Sequence, residues 1–268
     1  MVLSFAMSWT TFLVCIIAGI GAGVGTGFAG LSAAAFIAPL LIGLVGVPAY
    51  QATGVGLASD VLASAVSAWT YHKAGNIDWK NGRSLLSMVL IGTAIGSLIA
   101  QFVPNGALGL LSIAGSLLLG GQQLMQVIQH KENTTTLPLP TTPGWRRAER
   151  IVFGLWIGFI CGFMGTGGGM MMLLVLTLVM GYELKVAVGT SVFIMTFTAL
   201  FGSSLHFLLK GLPNPWILAV CAVTTVAAAG ISARLANRMR PLAAKAVVGV
   251  LLVAMGIAML VFKALGLS

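Results

Sequence analysis

The stretch Gly162-Phe163-Met164-Gly165-Thr166-Gly167-Gly168-Gly169 decides how this chain is read. Apolar sequence lies on both sides, Ile151–Cys161 before it and Met170–Met180 after it. Glycine lacks a Cβ, so a cluster of glycines around one Thr permits backbone angles that other residues resist. In water such a stretch is a loop. Within a bilayer, an unpaired backbone group costs several kcal/mol, roughly, and irregular chain survives only inside protein or beside a wet cavity. The stretch has a twin, Gly21-Ala22-Gly23-Val24-Gly25-Thr26-Gly27, which opens the apolar run Phe28–Val45. A glycine-rich turn that feeds a helix start presents free N–H groups and the positive end of a dipole. Two such ends, one from each half, make a candidate anion site.

Composition sets the environment. Of 268 residues, 58% are hydrophobic and 7% are charged, with a mean hydropathy of +1.04. Soluble proteins carry about 25% charged residues. The apolar runs are long and unbroken, which predicts an all-α polytopic membrane protein and not a membrane barrel. Ten apolar segments are read: Phe5–Gly23, Phe28–Val45, Ala49–Tyr71, Ser84–Val103, Ala107–Ile128, Ile151–Phe163, Met170–Met180, Leu184–Leu209, Trp216–Leu235 and Leu242–Leu265. Ile151–Phe163 and Met170–Met180 fall short of the ~20 residues of a full span. They are read as half-helices that meet at the glycine turn, so ten is an upper limit on crossings.

The halves match each other. Gly25-Thr26-Gly27 pairs with Gly165-Thr166-Gly167, Gly46 with Gly181, Ala52 with Ala187, Gly54 with Gly189, Gly75 with Gly211 and Gly96 with Gly230, at offsets of 134 to 140 residues. Five segments per copy is an odd number, so the second copy enters the membrane from the opposite side. That predicts two inverted-topology repeats, residues 1–128 and 151–268, with broken or half-helices at the Gly-rich turns and the site at their interface. Residues 129–150 form a Thr- and Pro-rich linker. Under this count only Lys210 and Lys263 of the 14 basic residues face one side. The positive-inside rule then puts the linker in the cytoplasm and both termini in the periplasm.

Several residues are candidates for binding chemistry. Gly25, Thr26, Gly27, Gly165, Thr166, Gly167, Gly168 and Gly169 form the cradle, from backbone N–H groups and two hydroxyls. The alternative is close helix packing, which the small-xxx-small spacing of Gly154, Gly158 and Gly162, and of Gly92 and Gly96, favours for those glycines. Thr53, Gly54, Gly189, Thr190 and Ser191 lie early in apolar helices and extend a polar cavity, or else bond back to the preceding turn. Asp60 is the acid well inside an apolar run, and an intramembrane carboxylate is a candidate for coupling transport to protons. His206 is a weaker candidate that reaches toward the headgroups, and Lys185 is read as a snorkelling surface lysine. Cys15, Cys161 and Cys221 show no metal or disulfide spacing and are read as small packing residues.

The duplicated Gly-rich turns, Ala187-Val188-Gly189-Thr190-Ser191 and Gly75-Asn76-Ile77-Asp78-Trp79 together resemble the TauE/SafE sulfite exporter family, with its toluene sulfonate uptake permeases. The resemblance covers nearly the whole chain. It implies a multi-pass transporter of the bacterial inner membrane, an exporter of a small sulfur oxyanion such as sulfite, with thiosulfate or a small organosulfonate as alternatives. The chain has no Gly-x-x-x-x-Gly-Lys-Ser/Thr loop for ATP. An intramembrane enzyme is the rival reading, as is a scaffold; the chain lacks His-Glu-x-x-His and Gly-x-Ser-x-Gly. The expected partners are a small anion and the lipid bilayer. No cofactor, metal or nucleic acid is implied, and the oligomeric state is left open.

Overall fold

The structure, a computed structural model, describes residues 8–129, 143–164, 169, 172–173 and 175–264. Among these, all regular structure is helical. The helices are α1 (Trp9–Ala29), α2 (Ala34–Leu40), α3 (Ala49–Lys73), α4 (Trp79–Ala100), α5 (Asn105–Ile128), α6 (Pro143–Met164), α7 (Leu184–Lys210), α8 (Pro215–Ala236) and α9 (Pro241–Ala264). Two π-helical turns, Leu41–Val45 and Val175–Val179, precede α3 and α7. Trp9–Ala29, Gly82–Ala100, Lys185–Leu209 and Pro215–Ala236 are long and apolar enough to cross a bilayer, while Ala34–Val45, Ile151–Phe163 and Lys245–Ala254 are shorter apolar helices.

Polarity is distributed as a bilayer requires. Leu13, Ile17, Leu62, Ile91, Val223 and Ile231 are exposed on the outer faces, while Thr26, Ser32, Asp60, Ser64, Ser97 and Thr198 are buried. A hydroxyl inside an apolar bundle can bond the carbonyl four residues back, as Thr93 does to Val89 at 2.8 Å. Lipid tails are as apolar as leucine, so close packing must hold the helices together. Glycine supplies it. A Cβ at Gly92 or Gly96 would overlap the backbone of α6, and one at Gly158 or Gly162 would overlap the backbone of α4. The packing reading of these glycines therefore holds.

The first chain break differs from expectation. Gly25, Thr26 and Gly27 are not a turn; they are helical residues of α1, which runs on to Ala29. The reason lies in what each touches. A Cβ at Gly23 or Gly27 would overlap α8, and one at Gly25 would press on the Phe36 ring. The Thr26 hydroxyl is used inside the helix, donating to the Ala22 carbonyl at 3.0 Å. The break falls one turn later. Gly30 takes φ 63° and its N–H bonds the Thr26 carbonyl at 3.0 Å. That left-handed conformation is cheap for glycine and strained for most residues. The apolar run expected as one segment over 28–45 is thus split, with Ala34–Val45 as a short helix returning beside α1.

In the second half, α6 begins at Pro143, inside the stretch expected as linker. Residues 130–142 lie outside the described residues, as do Gly165, Thr166, Gly167 and Gly168. The strongest helix pairs are α4 with α6, α1 with α8, α3 with α7 and α5 with α9. These contacts set α2, α3, α6 and α7 around one centre, where Ala34, Leu57, Cys161 and Ala199 pack together.

Candidate functional site

At that centre lies Asp60, 1% exposed, midway along α3. Four residues on and on the same face, Ser64 donates its hydroxyl to Asp60 Oδ1 at 2.8 Å. The Ser32 hydroxyl and the Ala33 backbone N–H, from the break between α1 and α2, lie against the same carboxylate. Asp60 Oδ2, Ser59 Oγ and Ser67 Oγ are buried with no protein partner. A buried carboxylate with one oxygen unbonded is costly while ionised. It can take up a proton, or receive a donor brought by a ligand.

The second half brings different groups to this place. Cys161 is buried near the end of α6, and its thiol contacts the Thr198 hydroxyl on α7. Gly169 is buried, and a Cβ there would meet the Gly30 carbonyl and the Met195 sulfur. The break at Gly30 therefore touches Gly169 of the second half. With an offset of 135 residues, Asp60 corresponds to Met195 and Ser64 to Ala199. One half supplies a charge and a hydroxyl where the other supplies a thioether and a methyl.

The expected site residues divide. Gly169 and Ser191 reach the break at Gly30: the space for a Cβ on Gly30 is taken by Ser191 Oγ, at 2.7 Å. The Ser191 hydroxyl donates to the Val188 carbonyl at 2.8 Å. Thr190 is turned elsewhere, its Oγ1 accepting from the Asp78 N–H at 3.0 Å. Asp78 also accepts from the Tyr182 hydroxyl, at 2.5 Å. Gly54 lies against Phe207 and His206, and Gly189 against Tyr71 and the Asn76 carbonyl. Those two glycines and Thr190 join helix ends, and Thr53 is buried early in α3. Lys185 donates to the Asn237 carbonyl at 3.2 Å, past the end of α8.

Sequence reading missed Ser32, Ser64, Cys161 and Thr198 as neighbours of the centre. The signal was present. Gly27-Phe28-Ala29-Gly30 recurs as Gly162-Phe163-Met164-Gly165 at an offset of 135, the offset of Gly46 and Gly181. The Gly-Thr-Gly pairing, at 140, put the first break five residues early. His206 also departs from expectation. It does not reach outward; it is 2% exposed, with its ring stacked on Tyr50 at 4.0 Å.

Comparison with known proteins gives three relatives and a family. A family model described as "Sulfite exporter TauE/SafE" matches residues 15–259. The chain is 24% identical over 217 residues to the probable membrane transporter protein YdhB of Bacillus subtilis, covering 81% of this chain and 87% of that one. It is 26% identical over 234 residues to the probable membrane transporter protein YunE of the same organism, covering 80% and 84%. A probable membrane transporter protein of Haemophilus influenzae is 27% identical over 214 residues, 77% of each chain. No solved structure matches.

Proposed function

Because the chain belongs to the sulfite exporter TauE/SafE family, a family of membrane transporters and not of enzymes, we propose that it is a secondary transporter that exports a small sulfur oxyanion such as sulfite. The observation that carries the reading is the centre itself. Hydroxyls of Ser32 and Ser64 meet one carboxylate beside the break between α1 and α2, and the second half brings the Cys161 thiol, itself against the Thr198 hydroxyl, to the same place. Oxyanions offer acceptor oxygens and little apolar surface, so hydroxyl and backbone donors suit them. Gly169, which meets Gly30, brings the second half to this site.

Asp60 is the coupling group in this reading. An anion and the Asp60 carboxylate repel one another and compete for the same donors. Loading the anion therefore favours a protonated Asp60, which links the movement of the two.

The two halves act as inverted repeats, residues 1–128 and 151–268, about the central site. Three facts support this. Exchanging the halves exchanges the α1–α8 pair with the α6–α4 pair and leaves α3–α7 and α5–α9 in place. Gly46 and Gly181 have φ of 73° and 72°, each just after a π-turn. The N–H of Val47 bonds the Leu41 carbonyl at 3.0 Å, and that of Tyr182 bonds the Leu176 carbonyl at 2.9 Å, the same bond 135 residues on. Under inverted topology the protein lies in the bacterial inner membrane with residues 129–150 in the cytoplasm and both termini in the periplasm, as the basic residues favour.

Flux in liposomes tests the function. Purified protein is reconstituted and given sulfite, thiosulfate, sulfate and a small organosulfonate in turn. Sulfite is expected to move faster than sulfate. Movement of thiosulfate or the sulfonate alone would change the substrate, and no flux of any of the four from correctly inserted protein would defeat the reading.

A further inference from the structure

Both ring nitrogens of His206 face oxygen atoms that can only accept. Nδ1 lies 3.1 Å from the Tyr50 carbonyl and Nε2 lies 3.1 Å from the Gly162 carbonyl. A neutral imidazole has one N–H and one lone pair. In that form one of the two contacts sets a nitrogen lone pair against a carbonyl oxygen. A second proton turns both contacts into hydrogen bonds, and charge strengthens them. The Tyr50 ring, stacked at 4.0 Å with an interplanar angle of 23°, offers its face to the cation.

Among the described residues, no charged group contacts the ring. On α3 the neighbour is Tyr50, and Asp60 lies ten residues along, about 15 Å away. On α6 the titratable neighbour is Cys161, beside Gly162, with its thiol on Thr198. On α4 the neighbour is Ser97, whose hydroxyl also donates to the Gly162 carbonyl, at 3.3 Å. Lys80 and Arg83 sit at the far end of α4, Arg146, Arg147, Glu149 and Arg150 at the far end of α6, and Lys185 at the far end of α7; Lys210 is one turn on from His206. Ala49, Ala100, Ile42, Val103, Phe163 and Leu209 form an apolar cluster with Tyr50. The two carbonyls and one ring face are thus what this site offers a cation, against the loss of its water.

We propose that His206 is a proton-binding site of the transport cycle, carrying two ring protons while it bridges Tyr50 and Gly162 and releasing one when that bridge opens. The bridge spans the halves, joining the first turn of α3 to the last turns of α6 through α7. The released proton leaves to water on the side where α7 ends. At the other end of the bundle the corresponding contact, from Tyr71 to Gly27, is made by a hydroxyl and needs no second proton. The proton step therefore belongs to one face of the protein. Its place in a cycle rests on the transporter reading; the proton site itself does not.

The test is nitrogen-15 NMR of histidine-labelled protein carrying His72→Gln and His130→Gln, with no substrate added. Across roughly pH 5 to 8, where imidazoles titrate, His206 is expected to show two protonated ring nitrogens at the acid end and one at the other. A single neutral tautomer throughout, or an imidazolium throughout, would overturn the proposal and leave the transporter reading intact. In liposomes the comparison is made on Asp60→Asn, where His206 is the proton site left to test: adding His206→Gln should remove the residual change of anion flux rate with pH on the face where α7 ends. A pH profile in the double variant equal to that of Asp60→Asn alone would also overturn it. If His206→Gln does not insert, the spectrum, taken with His206 in place, decides alone.

Discussion

Tyr71 donates its hydroxyl to the carbonyl oxygen of Gly27 at 3.2 Å, tying the last turns of α3 to the last turns of α1. At the same offset of 135 residues, His206 meets Gly162. Carbonyls in the final turn of a helix lack partners within it; the Tyr71 hydroxyl supplies one to Gly27, and Gly162, which also accepts from Ser97 Oγ, meets His206. Gly27 lies one turn before the break at Gly30 and Gly162 lies in the last turn of α6, so in each case a side chain from a neighbouring helix holds a helix end.

Tyr71→Phe removes that donor and keeps the ring. A buried carbonyl left unpaired costs roughly 1–3 kcal/mol. Thermal unfolding of the detergent-purified protein should fall accordingly, and Tyr50→Phe should fall by a similar amount, because its hydroxyl donates to the Ser97 carbonyl at 3.1 Å. An unchanged Tm in Tyr71→Phe would mean that another group or water takes the place of the hydroxyl.

Gly27→Val should prevent the folded bundle from forming. A Cβ at Gly27 would overlap Ser232 and come 2.7 Å from the Ala233 backbone nitrogen. Backbone cannot yield as a flexible side chain can. Gly121→Ala is the control, since nothing lies within 4 Å of its added Cβ. Size-exclusion profiles after extraction separate the two: aggregated Gly27→Val and monodisperse Gly121→Ala are expected. A monodisperse Gly27→Val without flux would instead restore a binding role to that glycine.

The contrast at Gly27 shows what could be read from the sequence and what could not. Helical class followed from long apolar runs, and the close approach of α4 to α6 from glycines spaced by four. The first break did not follow, because Phe28–Val45 is uniformly apolar and the densest glycines suggested the turn. A helix tolerates glycine wherever a neighbour presses close, so Gly23, Gly25 and Gly27 read alike as turn or as contact. Only Gly30, with its positive φ, marks the break, and its partner was visible in the repeat of Gly-Phe-x-Gly. Asp60 stood out as an acid in apolar sequence. Ser32 did not, since it reaches the carboxylate across the break and not along one helix. His206 was hidden by Lys210, which made the end of α7 look wet.

Thr190→Val should loosen the join between α7 and the turn before α4 without touching the centre. Its Oγ1 accepts from the Asp78 N–H, and the replacement removes about one hydrogen bond, ~1 kcal/mol. A lower Tm with an unchanged sulfite-induced rise in Tm is the expected pair of results. Loss of the sulfite-induced rise would move Thr190 into the binding site.

Asp60→Asn bears most directly on how transport is driven. The amide keeps the shape of the side chain and removes both the charge and the exchangeable proton. Ser64 still has an oxygen to donate to, and the NH2 group replaces Oδ2, the oxygen with no protein partner. Folding should therefore survive, since the variant relieves a buried charge and does not strand one. If loading the anion requires a neutral Asp60, the variant is permanently in the loaded-competent form. Sulfite should bind it at least as tightly at alkaline pH as the parent does at acid pH, seen as a Tm rise that no longer depends on pH. Flux should then follow the sulfite gradient alone, and an imposed pH gradient should not drive uphill movement. For the parent the sign is the reverse: protonation favours loading, so the sulfite-induced rise in Tm shrinks as pH increases. Proton-driven accumulation by Asp60→Asn equal to that of the parent would leave Asp60 a structural acid and require the coupling group to lie elsewhere.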